Sequence, residues 1–104
     1  MIRVVRSATF DRWFRKLKDR RAATRIRIRI DRLAAGSAGD VKPVGQGISE
    51  LRIHHGPGYR VYFLQDGQHL ILLLAGGDKA SQIADIARAK AIAEAWRRGK
   101  GRNL

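Results

Sequence analysis

From His69 to Ala75 the chain is apolar on both sides of any extended backbone, and a glycine pair, an aspartate and a lysine follow at once, giving HLILLLAGGDK. A strand with one wet face alternates apolar and polar residues. A run that does not alternate belongs to a central strand, covered by helices on at least one side. The apolar stretch Leu70 to Ala75 is also far too short to cross a bilayer, which takes about 20 residues. The rest of the chain has to supply partner strands and covering helices for this one segment.

The partner strands lie just upstream. Asp66-Gly67 is a strong two-residue hairpin signal. Before it, Val61 and Phe63 alternate with Arg60, Tyr62 and Leu64. Gly56-Pro57-Gly58 turns the chain, and Leu51 and Ile53 point one way while Glu50, Arg52 and His54 point the other. This predicts a three-strand antiparallel meander. Ile2 to Val5 is a β-branched run that reads as a further strand. Gly36 to Gly47, rich in small residues and holding Pro43, reads as loop, as do the turns at Gly56 to Gly58 and at Gly76-Gly77.

The covering helices show in apolar spacing. Ser7 or Thr9 can cap a helix whose Phe10, Trp13, Phe14 and Leu17 fall on one face. Arg25 to Ile30 alternates arginine and isoleucine with period two, a strand signal. Yet Ala22/Ala23, Ile26, Ile30 and Leu33 form a helical face, and Ala34-Ala35-Gly36 looks like a helix end. Length favours the helix, with Ile28 off the main face and the arginines, Arg25 and Arg29 among them, as a basic ridge. That ridge is either a solvated face or a surface that tracks phosphates. Ile83, Ile86, Ala89, Ala93 and Trp96 suggest a closing helix ending at Gly99, and residues 99–104 read as a basic, frayed tail. The sum is one α+β domain over residues 1–104.

Composition narrows the chemistry. The chain has no cysteine, hence neither disulfides nor thiolate metal sites. No zinc-ligand spacing, phosphate-binding glycine loop or nucleophilic triad is present, and neither a metal nor a cofactor is expected. No signal peptide is visible at the N-terminus, so a cytoplasmic, membrane-free protein is expected. The net charge of +13 is extreme for 104 residues, and arginine supplies 16 of the 22 cations. Arginine favours bidentate phosphate contact, so nucleic acid or an acidic protein is the expected counter-surface.

The order strand, two helices, three-strand meander, helix, carrying ELRI, GYRVYF and LLLAGGDKASQIADIARA, resembles the RelE/ParE superfamily of bacterial toxins. It is most similar to the addiction module killer protein branch, related to the HigB toxins, and the resemblance covers nearly the whole chain. It implies a toxin made beside a small cognate antitoxin, one of helix-turn-helix type encoded next to it. RelE-like members cut messenger RNA in the ribosomal A site, making ribosome and mRNA partners; ParE-like members block DNA gyrase instead. RelE-like cleavage uses the RNA 2′-hydroxyl as nucleophile, so the protein splays the RNA, stabilises phosphorane charge and moves protons.

By that resemblance Arg52, Arg60 and Lys79 match the cations of the RelE-like site. Arg60 and Lys79 are expected to project outward and clamp the reacting phosphate, with Arg52 beside them. The tyrosine or histidine that RelE-like toxins keep near the C-terminus is missing, since no histidine follows His69 and no tyrosine follows Tyr62. His54, His55, Tyr59 and Tyr62 are the remaining proton-transfer candidates, with His54 favoured over His55 and Glu50 as a base. Arg25, Arg29, Tyr59 and Tyr62 are the candidate RNA contacts. A gyrase inhibitor without a nuclease centre, or an inactive relative, would use the same fold.

Overall fold

The computed structural model describes residues 2–99. Residues 100–104 of the expected tail lie outside the described residues. The elements run β1 (Arg3–Arg6), α1 (Ala8–Arg15), α2 (Arg20–Ala34), β2 (Val41–Gly45), β3 (Ile48–Ile53), β4 (Tyr59–Asp66), β5 (Leu70–Asp78), a 3₁₀ turn (Lys79–Ser81) and α3 (Gln82–Arg98). The five strands form one sheet in the order β1-β5-β4-β3-β2. β1 runs parallel to β5, and every other neighbour is antiparallel. The α+β class expected from the sequence is the class observed.

β5 lies between β1 and β4 and is buried from Ile71 to Gly77. One face of the sheet carries Leu51, Ile53, Val61, Phe63, Ile71 and Leu73 against Phe10 and Phe14 of α1 and Ile26, Ile30 and Leu33 of α2. The other carries Ile48, Tyr62, Leu64, Leu72 and Leu74 against Ala89 and Ala93 of α3. Both faces are covered, which is why the β5 sequence does not alternate.

Two local devices orient the end of β5 and the start of α1. Tyr62 pairs with Ala75 while Phe63 pairs with Leu73, so Leu74 is an extra residue bulged out of the ladder. The bulge resets the alternation, turning Gly76 towards α1 and Gly77 towards α3. Ser7 caps α1, its hydroxyl accepting from the Phe10 amide at 3.0 Å and donating to the Leu74 carbonyl at 2.6 Å. That single side chain ties the start of α1 to β5.

The Arg25–Ile30 segment is helical, and burial explains the choice: Ala22, Ile26, Ile30 and Leu33 face the core while Ile28 remains 44% exposed. α2 ends in a Schellman arrangement. Gly36 sits at φ +89°, with the Ser37 amide bonded to the Arg32 carbonyl and the Gly36 amide to that of Leu33.

Two expectations are corrected. The 36–47 segment is not all loop, because β2 pairs with β3 at the sheet edge and extends the meander to four strands. An edge strand lends only a few side chains to the core and tolerates Pro43, so it shows neither alternation nor a proline-free run. Gly76-Gly77 is not a turn but part of β5. Among the described residues no helix is long and apolar enough to cross a membrane.

Asp19 caps α2, accepting from the Arg21 and Ala22 amides at 3.0 and 3.1 Å and from His55 at 3.2 Å. The Ala22 amide first, and then His55, holds its carboxyl below the ordinary value of 3.8. A depressed folded-state pKa contributes stability that is full above the unfolded value and lost as pH falls through the folded one. Asp19→Asn is therefore expected to lower stability at pH 7 and to flatten the acid limb of a stability–pH curve below about pH 4, the two proteins converging at low pH. Unchanged acid sensitivity in urea melts would refute this.

Candidate functional site

Adjacent strands β3 and β4 place Arg52 directly opposite Arg60 and Glu50 directly opposite Tyr62, all on the α3 face. Like charges facing across a ladder repel, and Glu50 offsets this. Its carboxylate, 1% exposed, lies 3.5 Å from Arg52 Nε and 3.8 Å from Arg60 Nε. The first residue of α3, Gln82, closes the cluster by donating from Nε2 to the other Glu50 oxygen at 2.6 Å. Arg60 donates to the Gly58 carbonyl at 2.8 Å, and Arg52 also lies 3.8 Å from Asp40.

Arg60 is thus not the outward-pointing cation expected. It is 9% exposed, enclosed beneath the start of α3 and paired with a buried acid. Lys79 is exposed as expected, at the first position of the 3₁₀ turn. A methyl group built on Gly58 would lie 3.0 Å from the Arg60 guanidinium and 3.7 Å from Lys79 Cβ, so those three residues meet at one end of the sheet.

Tyr62 is fully buried, which removes it as a surface on which a base could stack. Its hydroxyl makes no hydrogen bond of ordinary length, yet Glu50 is close enough to act on it electrostatically. Burial above all, and then the Glu50 carboxylate, pushes its pKa up and keeps it protonated. Tyr59 faces the other way, edge-on to Trp13 of α1 at 6.3 Å between ring centres. Glu50, expected as a base, is held as the counter-ion of two arginines.

His54 lies just past β3 and is largely exposed, its Nε2 2.5 Å from Asp40. That hydrogen bond, more than the charge of Arg52, draws the Asp40 carboxyl below its ordinary range. His54 lines a groove of about 790 Å³ along α2, with Arg25 exposed on its wall. Arg29 is also on that wall, but its guanidinium is taken up by backbone carbonyls, Arg52 at 2.6 Å and Ala38 at 3.0 Å. It fastens the β2–β3 region to α2 and is corrected from RNA contact to structural brace.

Sequence reasoning missed Gln82, Ser81 and Asp85. Asp85 is 4% exposed, with the Ser81 hydroxyl donating to it at 2.5 Å and Arg88 3.5 Å away. The signal was present in DKASQIAD: Gln82 and Asp85 stand one turn apart on the helix face that continues to Ala89 and Ala93. Polar residues in line with a buried stripe mark groups that have partners on the sheet. Ile83, expected on the closing face, is 90% exposed instead.

The family model described as Phage derived protein Gp49-like (DUF891) matches residues 12–100. An uncharacterized protein of Haemophilus influenzae (strain ATCC 51907 / DSM 11121 / KW20 / Rd) is 48% identical over 93 residues, covering 89% of this chain and 94% of the relative. The match takes in α2, the meander with its arginine cluster, and α3. The chain belongs to the Gp49-like (DUF891) family of phage-derived proteins, a family of the addiction-module-toxin type related to RelE.

Proposed function

We propose that the protein is the toxin of a toxin–antitoxin pair and that it cuts messenger RNA on the ribosome without a metal. The observation that carries this reading is the convergence of Arg60 and Lys79 around Gly58, with Arg52 across the ladder from Arg60. Glu50 and the Gly58 carbonyl hold the Arg60 guanidinium in a fixed orientation. A preoriented cation stabilises developing phosphorane charge without reorganising at the moment of reaction. The exposed Lys79 would meet the phosphate first. Tyr62 is enclosed and His54 faces the α2 groove, so positioning and charge stabilisation carry the catalysis. The same reading puts the protein in the cytoplasm, neutralised by an antitoxin with an acidic segment.

A second reading, a protein-binding inhibitor of DNA gyrase, is favoured by the enclosure of Arg60 and by the bare Ile83 side chain. Induced expression followed by transcript-end mapping separates the two. Growth arrest with new, translation-dependent transcript ends is expected. Lys79→Ala should abolish both effects while changing stability by no more than about 0.5 kcal/mol, as for other surface changes. Arrest with intact transcripts and loss of supercoiling would transfer the assignment to gyrase.

A further inference from the structure

We propose that the groove between α1 and the start of α3 binds a single nucleotide of single-stranded RNA, and that Asp85 selects guanine as its base. The inference rests on the mRNA-cleaving reading and adds a subsite to it. The groove encloses about 660 Å³, within the roughly 300–1,000 Å³ of small-molecule sites. Gly76 and Gly77 line it, where missing side chains let Trp13 and Asp85 approach the β5 backbone from opposite faces. The lining supplies each kind of group that a nucleotide needs.

Trp13 and Tyr59 present partly buried aromatic rings, on which bases stack whatever their identity. Arg12, Lys16 and Arg88 stand exposed in the lining, and among the described residues neither Arg12 nor Lys16 pairs with a carboxylate. These are the cations for a phosphate.

Asp85 supplies selectivity. An ionised carboxylate accepts about four hydrogen bonds. The Ser81 hydroxyl takes one position on one oxygen and Arg88 lies 3.5 Å from the other, so acceptor positions remain on a carboxylate that lines the groove. A buried acceptor rewards a base edge that carries donors and penalises one that carries acceptors. The guanine Watson–Crick edge offers N1–H and the N2 amino group side by side, matching both carboxylate oxygens; the other three bases offer no such parallel pair. Position supports the assignment. Tyr59–Asp78 and Arg60–Gly77 are consecutive pairs of the β4–β5 ladder, and Lys79 lies between Asp78 and Ser81 of the groove lining. A nucleotide in the groove would be next to a phosphate held by Arg60 and Lys79.

The test is titration of the isolated full-length protein with 5′-GMP, 5′-AMP, 5′-CMP and 5′-UMP, monitored by ¹H–¹⁵N NMR. The two indole N–H signals report separately, since Trp96 is held by Asp66 at 3.1 Å, away from the groove. GMP is expected to move the Trp13 signal saturably and leave that of Trp96 in place. The other nucleotides should bind roughly tenfold more weakly, the usual discrimination of one bidentate base contact. Guanosine, lacking the phosphate, should also bind more weakly than GMP, and the double variant Arg12→Gln/Lys16→Gln, which leaves the Arg88–Asp85 pair intact, should reduce GMP to the level of guanosine. Asp85→Asn should erase the preference among bases. Should that variant fail to fold, the guanosine comparison and the double variant decide instead. No saturable Trp13 shift, equal affinity for all four nucleotides, or GMP and guanosine binding alike would overturn the proposal. Cleavage in cells without GMP binding would sink the subsite alone; GMP binding without cleavage would sink the nuclease reading alone.

Discussion

Arg60→Ala is expected to lower the unfolding free energy by about 3 kcal/mol, the lower end of the cost of breaking a buried ion pair. The loss comes less from the missing attraction than from what remains. Glu50, 1% exposed in the folded chain, loses one of its two arginine partners, with Arg52 at 3.5 Å and the Gln82 amide at 2.6 Å remaining. Those two place the effect at the lower end rather than at about 5 kcal/mol. In a chain of this size that corresponds to a melting point lower by roughly 10–20 °C. Arg60→Lys keeps a charge near Glu50 but loses the Gly58 bond, and should cost about 1 kcal/mol. Urea denaturation of the three proteins at pH 7 checks the order. Stability of Arg60→Ala within about 0.5 kcal/mol of the wild type would show that the pair is solvated and contributes as little as surface pairs do. A loss of toxicity in Arg60→Ala therefore cannot be assigned to catalysis until folding has been measured. Arg60→Lys and Lys79→Ala are the cleaner probes.

The same cluster shows where sequence reasoning stops. Alternation put Glu50 with Arg52 along β3 and Arg60 with Tyr62 along β4, because strand side chains have period two, and the pairing of the strands puts all four on one face. Whether that face was open depended on α3, whose buried stripe is made of Ala89 and Ala93, small residues with a weak apolar signal. Gln82 and Asp85 then interrupt the apolar pattern at the helix start. α1 was legible because its stripe residues Phe10, Trp13 and Phe14 are all aromatic, although the helix ends at Arg15, before the expected Leu17. α2 was decided by length and its glycine end, despite the period-two alternation. β2 was hidden because an edge strand needs no apolar face of its own, and the bulge at Leu74 leaves no trace in composition. What alternation did not give was the exposure of Glu50, Arg52, Arg60 and Tyr62. Burial is set by elements distant in the chain, and period alone does not report it.

Gly76→Ala should be strongly damaging although it adds only a methyl group. The Leu74 bulge turns Gly76 towards α1, where a Cβ would run into the Trp13 ring. That ring is set against Phe10 at 5.8 Å and Tyr59 at 6.3 Å between centres, so moving it aside disturbs two aromatic contacts. Overpacking of this kind costs about 3 kcal/mol when neighbours are held in place. Gly67→Ala in the β4–β5 hairpin is the contrast. Its φ of +69° is unfavourable for alanine, but nothing lies within 4 Å of the new methyl, so only backbone strain of about 1 kcal/mol is expected. Thermal melts of both variants should rank Gly76→Ala well below Gly67→Ala, and equal losses would mean that the Trp13 ring moves freely. A double-mutant cycle makes the cause specific. Trp13→Leu alone should destabilise by removing aromatic burial, yet in the Gly76→Ala background it should cost far less or restore stability, because the leucine leaves space for the added methyl. Residues in contact are expected to be non-additive by roughly 0.5–3 kcal/mol. Simple additivity of the two changes would place the strain somewhere other than between Gly76 and Trp13.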